Sequence, residues 1–144
     1  MSYSQVFAIS AAGMGAERVR LDVAAMNLAN ANTATAPGEA GYRPMRVAIK
    51  SGYVAGGDFA QAFSSGIAQA PYAQVEHSVK QSKMLYEPEH PMADKRGYVS
   101  YPEIDNATEM ITIMSAMRSY EANIAALNAA KNMALKTLEI GGQS

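Results

Sequence analysis

Both ends of this chain are alanine-rich, helix-compatible and almost uncharged. Residues 2–32 hold only Glu17, Arg18, Arg20 and Asp22 as charged side chains, and residues 106–138 only Glu109, Arg118, Glu121, Lys131 and Lys136. A helix with one side in water normally carries a much denser polar face. Terminal helices without a solvated face need neighbours on several sides, and a chain of 144 residues cannot supply them all. The pattern points to a subunit of an assembly.

The first helix is expected to start at Ser2 and Gln5, which have the spacing of a capping box. Beyond them Ile9, Ala12, Ala16, Val19, Val23 and Met26 recur at alternating steps of three and four, a heptad seam suited to another helix. Small residues such as Ala8, Ala11, Gly15, Ala25 and Ala29 fill the other side. Gly13 and Gly15 each cost a helix interior about 1 kcal/mol relative to alanine, so this helix depends on packing. Asn27, Asn30 and Asn32 bring it to its end, and Pro37-Gly38 closes it.

The second helix is expected from Asn106-Ala107-Thr108-Glu109, again with capping-box spacing. Met110, Ile113, Met117, Tyr120, Ile124, Leu127 and Leu138 line one broad sector of it. Ala116, Ala122, Ala125, Ala126, Ala129 and Ala130 occupy the rest, and Gly141-Gly142 ends the helix. At 1.5 Å per residue it is roughly 50 Å long. The two seams of large residues are expected to pair as a coiled-coil-like antiparallel hairpin. The alanine faces are then left for lateral association. The fold class is α+β, mainly α, with a small β-containing middle module.

That middle holds all six prolines and most of the glycines. Strands are expected over 42–49, 52–63 and 73–79, the last alternating Val75, His77 and Val79, with a turn at Gly56-Gly57-Asp58. Glu87-Pro88-Glu89-His90-Pro91 reads as a stiffened loop. Tyr98, Tyr101 and Pro102 are expected to pack that loop onto the start of the second helix. The resulting division is 1–35, 36–105 and 106–144.

Composition excludes several functions. A net charge of −1 without a basic stripe gives no footprint for nucleic acid, and the chain has no cysteine for disulfides or thiol chemistry. No apolar run approaches the ~20 residues of a bilayer span, and no cleavable signal is expected at the N-terminus. His77, His90, Glu87, Glu89 and Asp94 invite a metal reading, but adjacent residues diverge and no ligand-pair spacing occurs. A loop-ordering role fits them better. Neither a nucleophile elbow nor a phosphate loop is present, and Gly13-Met14-Gly15 lacks the preceding strand of a nucleotide site. No cofactor is expected. Asn27, Asn30 and Asn32 admit two readings, as interface hydrogen-bonders that fix register or as a frayed helix end. The ten methionines likewise suit an adaptable binding face or ordinary packing.

Asn27-Leu28-Ala29-Asn30-Ala31-Asn32-Thr33, preceded by Arg20 and followed by Gly41-Tyr42-Arg43, closely resembles the signature of bacterial flagellar rod and hook proteins. Two further blocks are similar to a proximal-rod branch of that family. One is Tyr86-Glu87-Pro88, His90-Pro91-Met92-Ala93-Asp94 and Gly97-Tyr98-Val99-Ser100-Tyr101-Pro102. The other is Glu109-Met110, Met114, Arg118-Ser119-Tyr120-Glu121-Ala122-Asn123, Leu127-Asn128-Ala129, Lys131 and Leu135-Lys136-Thr137-Leu138. Arg43-Pro44 and the stretch Thr35-Ala36-Pro37-Gly38-Glu39-Ala40 depart locally from the usual pattern.

The resemblance implies a non-enzymatic structural subunit of the basal-body rod in the periplasm, exported by the flagellar type III apparatus without signal cleavage. Its implied partners are its own copies, sibling rod proteins, the rod-base adaptor and the export apparatus. Nucleic acid and direct membrane insertion are not implied. On that reading the subunit-interface residues are the two seams together with Asn27, Asn30, Asn32, Ala126 and Ala129. The competing readings are a soluble helical adaptor that binds one partner through the second helix, and a small metal-dependent hydrolase.

Overall fold

The computed structural model describes residues 3–50, 72–78 and 82–141. It is mainly helical, of the α+β class. Helix α1 spans Tyr3–Asn30 and helix α2 spans Asn106–Gly141. Between them lie β1 (Met45–Lys50), β2 (Tyr72–His77), β3 (Lys83–Tyr86) and β4 (Tyr98–Tyr101), arranged as the two-stranded sheets β1–β2 and β3–β4. The chain divides into two compact units. The first gathers Met1–Val19, Ala48–Gln74 and Ser115–Ser144, the second Arg20–Val47 and Val75–Met114.

In the first unit the buried side chains of the two helices are small or polar: Ser10, Ala16 and Glu17 on α1, Ala116 and Ala130 on α2. Gly13 shows why. A Cβ there would lie 3.1 Å from Nδ2 of Asn123, so the Asn123 amide packs against the α1 backbone where it has no side chain. Large apolar side chains of the same helices, among them Ile9, Met117, Tyr120 and Ile124, are exposed. The expected inward seam therefore holds on α1 at Ala16 and Val23. Ala8, Ala11, Ala25, Ala29, Ala122, Ala125, Ala126 and Ala129 face outward as expected. Most large seam residues of α2 nevertheless stay exposed, while Ala116 and Ala130 are buried. Small residues bury little area each, but they permit close approach, and most large residues of α2 are left open.

The second unit buries larger side chains. Val23 and Ala24 of α1 are buried, as are Val99 and Ser100 of β4 and the flanking Pro44 and Pro102. Strand β4 pairs antiparallel with β3 from Lys83↔Tyr101 to Tyr86↔Tyr98. On its other side Thr35 bridges it, with Thr35 N donating to Ser100 O at 2.9 Å and Ser100 N to Thr35 O at 3.0 Å. Neither β3 nor β4 was expected from the sequence. Four-residue strands draw their stability from pairing with distant segments, which local pattern does not show.

Of the expected strands, 42–49 is replaced by β1, which starts only after Pro44. The strand over 73–79 becomes β2, and its Val75 and His77 are both exposed, so no buried face alternates there. The expected strand over 52–63 with its turn, Val79, and the Ser2 half of the first capping box lie outside the described residues.

Turn chemistry follows the sequence. Glu39 N donates to Ala36 O at 3.1 Å across Pro37-Gly38, with Gly38 at φ 92°. The α2 cap differs from expectation by one residue. Asp105 holds the position: its Oδ1 accepts from Ala107 N at 3.1 Å and its Oδ2 from Thr108 Oγ1 at 2.6 Å. Both Asp105 and Asn106 are good caps, and Asp105 adds a negative charge at the helix's positive end. Glu109, the expected reciprocal partner, points elsewhere.

The β3–β4 connection is braced by its own side chains. Asp94 Oδ1 accepts from Arg96 N at 2.8 Å and Tyr98 N at 2.9 Å. These backbone donors, Tyr98 foremost, hold the Asp94 carboxyl below its usual range. Tyr101 OH donates to Glu87 Oε2 at 2.9 Å, which raises the phenol's pKa. Tyr86 and Tyr98 meet edge to face with centroids 5.4 Å apart. Tyr86, Tyr98 and Tyr101 thus make these contacts within the hairpin itself, while Pro102, which was expected to pack with them, is buried just before α2. Gly97 sits at φ 80°, and a Cβ there would lie 2.8 Å from Tyr86 Cε2 and 3.1 Å from Pro88 Cβ. Gly97→Ala is expected to destabilise the chain by about 1–3 kcal/mol, read as a lower urea midpoint at unchanged slope. An unchanged midpoint would show the hairpin repacks freely.

Candidate assembly surface

Asn27 lies at the centre of the second unit's polar chemistry and is only 1% exposed. Its Nδ2 donates to Met45 O at 2.8 Å and to Glu109 Oε1 at 3.2 Å. Its Oδ1 accepts from Tyr42 OH at 2.9 Å and Met45 N at 3.0 Å. An amide has two donors and two lone pairs, so its capacity is used in full. One side chain ties the last turn of α1 to the start of β1 and the first turn of α2. Burial, and then the Glu109 carboxylate, raise the Tyr42 pKa above its ordinary 10.0. A cleft of about 220 Å³ opens beside this clasp between Arg20, Val23, Arg46 and Thr112.

The other two asparagines are placed differently. Asn30 Nδ2 turns back to Met26 O at 2.8 Å, and Asn30 Oδ1 accepts from Thr33 Oγ1 at 3.4 Å. Asn32 is exposed in the turn that follows α1. A helix-end signal was legible in these residues; the Asn27 clasp was not, because its partners lie 15 to 82 positions away.

Among the seam residues Ala16 and Val23 are buried, Ala12, Val19, Ile113 and Leu127 are half-buried, and Ile9 and Met26 are exposed. On α2 the second unit exposes Met110, Ile111 and Met114. The first unit exposes Met117, Tyr120, Ile124, Met133, Leu135, Leu138 and Ile140, the last two 72% and 77%. Ala126 and Ala129 are exposed as well. Single exposed apolar residues are ordinary, but a helix lined with them is an interaction surface.

The residues once considered for a metal are occupied otherwise. His90 Nδ1 accepts from Met92 N at 3.1 Å, while Glu87 and Asp94 brace the hairpin. Among the described residues no group of three metal-ligating side chains forms, and no helix is long and apolar enough to cross a membrane.

Large apolar side chains left open along α2 suit a chain that packs against others. Residues 95–140 match the family described as flagellar basal body rod FlgEFG protein C-terminal. The flagellar basal-body rod protein FlgC of Escherichia coli O6:H1 is 40% identical over 141 residues, covering 98% of this chain and 99% of that protein. The FlgC of Salmonella typhimurium strain LT2 is similar to the same extent. That of Bacillus subtilis strain 168 is 38% identical over 146 residues, covering 92% of this chain and 94% of its own. The chain belongs to the FlgC family of flagellar basal-body rod proteins. It is a structural component of the basal body that assembles with other rod components, not an enzyme.

Proposed function

We propose that this chain polymerises helically with its own copies and with sibling rod proteins in the proximal, periplasmic part of the rod. Residues 1–35 and 106–144 supply helices packed side by side around the export channel, and residues 36–105 form the module outside them. The rod-base adaptor and the flagellar type III apparatus are its further partners, and export proceeds without signal cleavage. Stiffness against torque comes from helices held laterally over most of their length. The observation that carries this reading is the set of large apolar side chains left open on α2, among them Met117, Tyr120, Ile124 and Leu138. Apolar burial of about 25 cal/mol per Å² between neighbouring subunits gives such a set its driving force.

Of the expected contact set, the seam residues other than Ala16 and Val23, with Asn30, Asn32, Ala126 and Ala129, remain proposed, while Ala16, Val23 and Asn27 are buried within the chain. We add to it Ile111, Met114, Met133, Leu135 and Ile140, all exposed on α2. Hydrogen exchange tests the proposal. In purified basal bodies the amides of residues 117–140 are expected to exchange far more slowly than in the isolated chain. Equal exchange in the two states would mean that α2 is solvated in the rod, and the reading would fail.

A further inference from the structure

We propose that Met110 and Met114 are sites of oxidation that bar a damaged subunit from the rod. The inference rests on the reading of α2 as an assembly face. The two residues are four apart, so their side chains lie one above the other on one side of α2. They are 56% and 53% exposed, with the exposed Ile111 beside them. The chain has no cysteine, so thioethers are its only sulfur groups and no thiol consumes an oxidant first.

The reaction needs hydrogen peroxide and nothing else from outside. A sulfur lone pair attacks one peroxide oxygen, and the S–O bond forms as the O–O bond breaks. The second oxygen leaves as hydroxide, and the proton still on the sulfur-bound oxygen passes to it through solvent, giving sulfoxide and water. Sulfur loses two electrons and peroxide gains two. The product is a polar sulfoxide, whose oxygen needs hydrogen-bond donors that an apolar interface lacks. Free subunits present these sulfurs to solvent, whereas neighbours cover them after assembly. Oxidation therefore acts before incorporation and spares what is already built.

The test uses cells producing the full chain as their sole copy, induced during a peroxide pulse. Mass spectrometry compares the incorporated and free pools. Sulfoxide at positions 110 and 114 is expected in free chain and to be depleted from rods. Incorporation of the unaltered chain should drop under peroxide, while Met110→Leu/Met114→Leu, which keeps the apolar face, should incorporate as without peroxide. Equal sulfoxide in the two pools, or an equal drop for the leucine variant, overturns the inference. Met110→Gln/Met114→Gln without peroxide separates the two ideas. Loss of incorporation in that variant supports the polar block. Normal incorporation removes the assembly face itself, and this inference with it.

Discussion

Cells whose only copy of the chain carries Met117→Asp and Ile124→Asp are expected to be non-motile, with no chain recovered in basal bodies. Both side chains are exposed in the single chain, so the substitutions meet water there and leave helical content and melting nearly unchanged. In the rod the same positions are proposed to be covered. An unpaired charge buried at a contact costs about 3–5 kcal/mol, and in a polymer that penalty recurs at every subunit. The discriminating pair of measurements is circular dichroism of the soluble variant beside motility of the strain. Swimming at the usual rate would show that this stretch of α2 faces solvent in the assembled rod.

Replacing Asn27 by alanine should act on the opposite property, the stability of the chain on its own. Four hydrogen bonds are lost together, and the groups left behind include both backbone atoms of Met45 and the Tyr42 hydroxyl. Each buried polar group left unpaired costs about 1–3 kcal/mol, so a total near 3–5 kcal/mol is expected once some of them find water. A typical domain has about 5–15 kcal/mol in all. Tyr42→Phe removes a single member and should cost about 1 kcal/mol. If the two variants melt alike, the clasp does not act as a unit.

Charge and pH give a second handle on the same site. Asn27→Asp places a carboxylate against Met45 O and Glu109, where the wild type has a donor. Like charge and burial favour the protonated form, so the variant is expected to regain stability as pH falls. In the wild type the same sign holds, displaced to high pH. The folded-state pKa of Tyr42 is raised above 10.0 by burial and by Glu109. Its contribution is complete below the unfolded value and disappears as pH climbs through the folded one.

The helices were legible because a deficit of charge and steps of three and four survive any context. Pro37-Gly38 was legible because a proline followed by a positive-φ glycine is written in two residues. The inward face was legible on α1, where the seam residues Ala16 and Val23 are buried, and not on α2. The usual rule sends large apolar side chains to the core, and it holds only when the chain is its own whole environment. On α2 Ala116 and Ala130 are buried while Met117 and Ile124 wait outside. Strands β3 and β4 failed for another reason. Lys83-Met84-Leu85-Tyr86 has no alternation of its own and is a strand only because Tyr98–Tyr101 lies beside it. The Asn27 clasp was hidden similarly, since an asparagine near a helix end has a sufficient local explanation.

Because the Asn27 amide has nothing left to offer a neighbour, the turn from α1 into β1 is settled inside each molecule before it meets another. A growing tip would then receive parts already cut to shape at this joint, and errors of bend would not accumulate from one layer to the next. Straightness over many layers would originate in the single protomer, with the template left to choose only where each newcomer sits.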